Sequence, residues 1–146
     1  MGEDTFREAF TYALSLLSKR DYSLKVLAEK VKRRFPDITD NELESLKEEL
    51  VKSGYVNELE AARRYFLGKA EKGWGKHKIF YHLKKLGFPE EVIREVVLTT
   101  PYDYSFIEKE IKKLSTRKGR EQLRRFLLQR GFSLSEIGEI LRKRVK

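Results

Sequence analysis

Residues 75–87 read Gly-Lys-His-Lys-Ile-Phe-Tyr-His-Leu-Lys-Lys-Leu-Gly, and residues 119–131 read Gly-Arg-Glu-Gln-Leu-Arg-Arg-Phe-Leu-Leu-Gln-Arg-Gly. Each stretch sets an apolar pair at i, i+4 (Ile79 and Leu83; Leu123 and Leu127), ends in glycine, continues with Phe88 or Phe132, and opens a second apolar-periodic run. Residues four apart share one face of a helix, and glycine suits the left-handed turn that ends one. A duplicated helix, glycine stop and helix is the pattern of a helical repeat array, whose modules stack to bury their apolar stripes.

The same period runs outward in both directions. Phe6, Ala9, Phe10, Ala13, Leu16 and Leu17 mark a first helix; Leu24, Leu27, Ala28, Val31 and Phe35 a second; Leu43, Leu46 and Leu50 a third. Ser23 is placed to cap the second, Thr39 with Glu42 forms a capping box, Pro36 separates the second from the third, and Gly54 closes the third. Asn57 with Glu60 caps a fourth helix carrying Ala62, Tyr65, Phe66 and Ala70. The duplicated helix follows, and Pro89 at a first helical position begins a sixth with Val92, Ile93, Val96 and Val97. Ile107, Ile111 and Leu114 mark a seventh, the second duplicated copy an eighth, and Ser133 with Glu136 caps a ninth with Ile137, Ile140, Leu141 and Val145. The expected fold is all-α: three tandem three-helix modules over residues 1–54, 55–101 and 102–146.

Composition narrows the functional classes. The 146 residues contain no Cys, which excludes disulfides, a thiolate nucleophile and thiolate metal sites. No run approaches the eighteen or so apolar residues of a membrane span, and the N-terminus lacks the regions of a signal peptide, so a cytoplasmic monomer is expected. The formal charge of +9 is unevenly spread: ten cations face eleven acids in the first third, nine face six in the second, and thirteen face six in the third. Such asymmetry points to an anionic partner, nucleic acid or an acidic protein surface, engaged mainly through the C-terminal part; a merely basic surface is the plain alternative.

Three stretches carry a family resemblance. They are Ala13-Leu14 through Lys19-Arg20-Asp21-Tyr22-Ser23 with Leu27 and Val31; Gly54-Tyr55-Val56-Asn57-Glu58 with Ala62; and Gly75, Ile79, Leu83, Gly87 and Phe88. In order, spacing and span the chain resembles the RecX family, regulators of the bacterial RecA recombinase, over residues 5 to 142. It departs from the family pattern at Glu58, Glu60, Ala61 and Leu86. The resemblance implies that the three modules form an elongated, curved array that sits in the groove of the RecA–DNA nucleoprotein filament and modulates its assembly or activity, in the context of recombination and DNA repair. A sequence-independent DNA-binding helical module, or an array with an unrelated acidic partner, are the other readings.

Helix geometry nominates two surfaces. With Ile79 and Leu83 inward, Phe80 and Tyr81 project sideways or outward among Lys76, Lys78, Lys84 and Lys85, and Trp74 precedes them between two glycines. Alternating aromatic and basic groups suit stacking with phosphate contact, or an Arg- and Tyr-rich contact patch; packing of Trp74 and Phe80 against a neighbouring module is the alternative. In the third module Lys112, Lys113, Arg117, Lys118, Arg120, Arg124 and Arg125 lie on a helix end, a tight connection and the next helix, with Leu128 outward among them. A solvated face is the alternative there.

Catalytic readings find little support, and neither cofactor nor metal is expected. His77 and His82 are five apart, about 140° around a helix, which spoils an i, i+4 metal site. Gly73-Trp74-Gly75-Lys76 lacks the spacing and strand of a phosphate loop, and no Ser or carboxylate pair accompanies a His.

Overall fold

A computed structural model describes the backbone of residues 2–145 and the side chains through Lys143. Nine helices account for the regular structure among the described residues: α1 (Glu3–Leu17), α2 (Leu24–Arg34), α3 (Asp40–Lys52), α4 (Glu58–Glu71), α5 (Lys76–Lys85), α6 (Glu90–Thr99), α7 (Ser105–Leu114), α8 (Arg120–Gln129) and α9 (Leu134–Val145). None is long and apolar enough to cross a membrane. The side chain of Val145, assigned above to the apolar face of the ninth helix, lies outside the described residues.

The local signals act as their chemistry dictates. Ser23 Oγ accepts from the Val26 N–H at 3.2 Å, Asn57 Oδ1 from the Glu60 N–H at 3.1 Å, and Thr39 with Glu42 closes a reciprocal capping box. Ser133 and Glu136 form the same box at the start of α9. Pro89 stands one residue earlier than expected: its ψ of 145° makes it the N-cap of α6 rather than the first helical residue. Gly54, Gly73, Gly87 and Gly131 take φ between 79° and 92°. At each, the following residue's N–H reaches back five residues to a helix carbonyl, as from Phe88 to Leu83 and Phe132 to Leu127. This is the two-bond glycine stop that consumes orphaned C-terminal carbonyls.

Three apolar clusters lie along the chain. Ala9, Ala13, Leu27, Val31, Leu46, Leu50 and Val56 fill the first, Phe66, Ile79, Leu83, Ile93 and Val96 the second, and Ile107, Ile111, Leu123, Leu127, Ile137 and Leu141 the third. The duplicated pairs Ile79/Leu83 and Leu123/Leu127 have no exposed surface. Tyr102 packs against both the second and the third clusters.

One contact pattern joins successive clusters. The C-terminal turn of α5 lies against the N-terminus of α2, where the buried Ser23 hydroxyl donates to the Leu86 carbonyl at 2.7 Å. The C-terminal turn of α8 lies against the N-terminus of α5, where the Gly75 N–H donates to the Arg130 carbonyl at 2.6 Å and the His77 N–H to that of Gly131 at 3.2 Å. Ser23 and Gly75 are the N-caps of α2 and α5, and Leu86 and Arg130 the C-caps of α5 and α8. At the second joint free N–H groups of α5 therefore meet free carbonyls of α8, and at the first the Ser23 hydroxyl that caps α2 also satisfies a carbonyl at the end of α5.

Candidate functional site

The first joint is built from the opening motif. Asp21 takes a bidentate pair from Arg64 at 2.9 and 3.0 Å, Arg20 lies 4.8 Å over the Tyr22 ring, and Glu58 accepts from the Leu24 N–H at 3.0 Å. Arg20, Asp21, Tyr22, Ser23 and Arg64, with Val26, Ala61, Tyr65, Leu86 and Phe88, border a cavity of about 470 Å³. Burial raises the Glu58 carboxyl above its ordinary range, against the lowering effect of the Leu24 N–H. Of the positions that depart from the family pattern, Glu58 and Leu86 thus bridge the joint, Ala61 is buried, and Glu60 lies 3.9 Å from Arg64.

The second joint is tighter. Arg130 donates to Glu110 through both terminal nitrogens at 3.0 and 2.8 Å, and also to the Lys72 carbonyl at 3.1 Å. The Tyr102 hydroxyl donates to the Trp74 carbonyl, and that of Tyr104 to Glu136. Burial pushes both phenols well above the usual tyrosine range.

Trp74, half-buried against the second core, turns its indole toward cations. Lys69 Nζ and Lys78 Nζ lie 4.7 and 4.3 Å from its ring centre, and the half-buried His82 ring lies 4.8 Å away. Tyr81, 55% exposed, meets His82 edge-on at 5.6 Å, and Lys85 lies 4.8 Å over the Tyr81 ring. Phe80, expected sideways or outward, is half-buried against the second core.

Trp74, Lys78 and Tyr81, singled out in the sequence, thus come together through His82. Lys76 is carried elsewhere, 5.7 Å over the Tyr102 ring, and Lys84 is exposed on the neighbouring side of α5. Lys69 escapes a reading of the sequence because it belongs to α4 and reaches Trp74 only through the Gly73 turn. Its i, i+4 relation to Tyr65, whose ring it overlies at 5.4 Å, is the only local signal.

In the third module Lys112, Lys113, Arg117, Arg120, Arg124 and Arg125 are exposed and Lys118 is half-buried. Arg124 approaches Glu121 at 4.0 Å, an exposed pair of little energetic weight. Leu128 is 44% exposed beside them. Arg130, the other arginine of α8's C-terminal turn, is spent on Glu110. No group of three or more His, Cys, Asp or Glu suited to a metal ion occurs among the described residues.

No family model matches the chain. It is 32% identical over 127 residues to "Regulatory protein RecX" of Thermus thermophilus, covering 87% of this chain and 85% of that protein. To the protein of the same name from Chlorobium phaeobacteroides it is 29% identical, over 97% and 96% of the two chains. The crystal structure of RecX from Lactobacillus salivarius superposes with a TM-score of 0.81 over 96% of both chains, at 18% identity, which establishes a common fold.

Proposed function

The chain belongs to the RecX family of regulatory proteins, and on that premise we propose that it binds the RecA–DNA nucleoprotein filament in its groove and modulates filament assembly or activity, in the inhibiting direction. The observation that carries this reading is the basic surface of α5, α7 and α8, where among the described residues Arg124 is the one cation of these helices with a carboxylate within 4.0 Å. Such a field favours a polyanionic partner and steers its approach. The contact residues are Lys112, Lys113, Arg117, Lys118, Arg120, Arg124 and Arg125 in the third module, with Trp74, Lys76, Lys78, Tyr81 and Lys84 in the second. The role is non-catalytic, and the protein acts as a cytoplasmic monomer of three modules, residues 1–54, 55–101 and 102–146.

The test is the DNA-dependent ATPase of the recombinase on single-stranded DNA, with filament length followed by light scattering. Added protein should lower both in a dose-dependent way; unchanged ATPase and scattering at saturating protein would refute the reading. Sequence-independent DNA binding by the free chain is a second reading, favoured by the cation and aromatic cluster around Trp74. If four to six cations grip phosphates, log affinity should fall with log salt at a slope near about −3 to −5. A flat dependence would refute it.

A further inference from the structure

Lys69 and Lys78 come from different helices, yet both ammoniums lie over one indole, at 4.7 and 4.3 Å from its centre. Two positive charges are thereby held within one Debye length of each other, which is about 10 Å at 0.1 M salt. Cation–π attraction to Trp74 keeps them there. Among the described residues, neither these lysines nor Lys85 pairs with a carboxylate. Uncompensated cations gathered on an aromatic floor form a site in want of an anion. The ring of Trp74 is already surrounded by two ammoniums and an imidazole, so it is not itself a free stacking platform; the Tyr81 ring, 55% exposed with Lys85 as its one overlying cation, has the more open surface.

We infer that this cluster is a binding site for a phosphodiester of single-stranded nucleic acid, with Lys69 and Lys78 holding the phosphate and Tyr81 stacking an adjacent base beside His82. The inference deepens the DNA-binding reading above and rests on it. A single strand uses both halves of the site, because proteins that hold such strands combine backbone cations with aromatic stacking. A protein carboxylate would use the lysines and leave Tyr81 idle.

Proton uptake follows from the surroundings of His82. Partial burial, and then Lys78, Lys85 and Lys69, hold its pKa below the ordinary 6.5. The charged groups acting on it are therefore two lysines of its own helix and one from α4, with no acid from α4, α5 or α6 among them. A phosphate between the ammoniums cancels their repulsion of the imidazolium and raises the pKa. By linkage, affinity must then rise as pH falls through the interval between the free and bound values.

The chain has two histidines, and His77 is exposed, so it serves as an internal control. The ring resonances of both are titrated by NMR with and without a short oligothymidylate, and separately with polyglutamate. The oligonucleotide should raise the midpoint of His82 by about one pH unit and that of His77 by much less, with affinity rising up to about tenfold as pH falls across that interval. Lys69→Gln with Lys78→Gln should abolish the His82 response and flatten the log–log salt slope by about 0.7 for each phosphate no longer neutralised. Circular dichroism and the thermal midpoint check the fold, and the wild-type titration needs no variant. An unmoved His82 midpoint under saturating oligonucleotide, or full affinity in the double variant, overturns the inference. An equal rise with polyglutamate overturns the nucleic-acid assignment in favour of an acidic protein. Modulation of the recombinase ATPase is read separately and bears on the filament reading alone, so the two can fail independently.

Discussion

Gly75 and Gly119 occupy the same place in the repeat, yet replacing them with Ala should have opposite outcomes. Both have ordinary φ, −79° and −76°, so neither substitution strains the backbone. A Cβ at Gly75 would stand 2.5 Å from the carbonyl carbon of Gly131 and 2.7 Å from the Phe132 nitrogen, whereas at Gly119 it would meet nothing within 4 Å. Both obstacles at Gly75 are backbone atoms held by the glycine stop of α8, so relief requires the helix ends to part by roughly 1 Å. That movement breaks the 2.6 Å bond from Gly75 N–H to Arg130 and the 3.2 Å bond from His77 N–H to Gly131. At about 1 kcal/mol net for each bond, plus about 1–3 kcal/mol for overpacking, Gly75→Ala should cost about 3–5 kcal/mol. Gly119→Ala loses only a favourable N-cap residue, up to about 1 kcal/mol, a loss that Gly75→Ala shares. Trp74, the single Trp, adjoins the damaged joint, so urea unfolding followed by its fluorescence is the direct assay. In thermal melts the gap should be roughly 6–20 °C, at about 2–4 °C per kcal/mol for a chain of this size. Equal stability of the two variants would refute the docking of α8 on α5, and with it the stacking rule for the array.

Leu83→Ala and Leu127→Ala, at equivalent fully buried places, should each destabilise by about 2–5 kcal/mol in denaturant unfolding, and two neutral results would count against the cores. Arg120→Glu, Arg124→Glu and Arg125→Glu combined should keep helical content by circular dichroism while abolishing filament modulation, because steering and contact turn to repulsion. The same reversal at Lys25, Lys47 and Lys52 should have a much smaller effect; survival of modulation in the first variant removes the assignment of the contact surface to α8. Glu58 has its folded pKa raised above 4.5 by burial, so the folded state binds its proton more readily than the unfolded chain. Its contribution is present at low pH and declines as pH climbs from the unfolded value through the raised one. Glu58→Gln keeps an acceptor for the Leu24 N–H and should remove that part of the pH dependence, measured as unfolding midpoints at about pH 4 and about pH 7. An unchanged pH profile would show that the carboxyl is not desolvated at the joint.

Much of the architecture was legible because it depends on neighbours in sequence. The i, i+4 pairs Ile79/Leu83 and Leu123/Leu127, the caps Ser23, Thr39, Asn57 and Ser133, and the glycine stops each act within one turn of helix, and so a helical period and a few hydrogen-bonding side chains sufficed to locate nine helices. The exposure of Tyr81, Arg124, Arg125 and Leu128 followed from the same 100° step. The period says which side of a helix faces inward but not which helix it faces. That Ser23 would donate to Leu86, 63 residues on, that Arg130 would bind Glu110 rather than join the basic face of α8, and that Lys69 would share an indole with Lys78 are matters of packing. Lys76 and Lys78 show the limit most plainly. Two residues apart on one helix, they point about 200° apart, and only the placement of α4, α7 and α8 around α5 decides that one overlies Tyr102 and the other completes the cluster at Trp74. A lysine stem is long and its energy nearly flat, so its end rests wherever the tertiary structure has put an aromatic face or an anion.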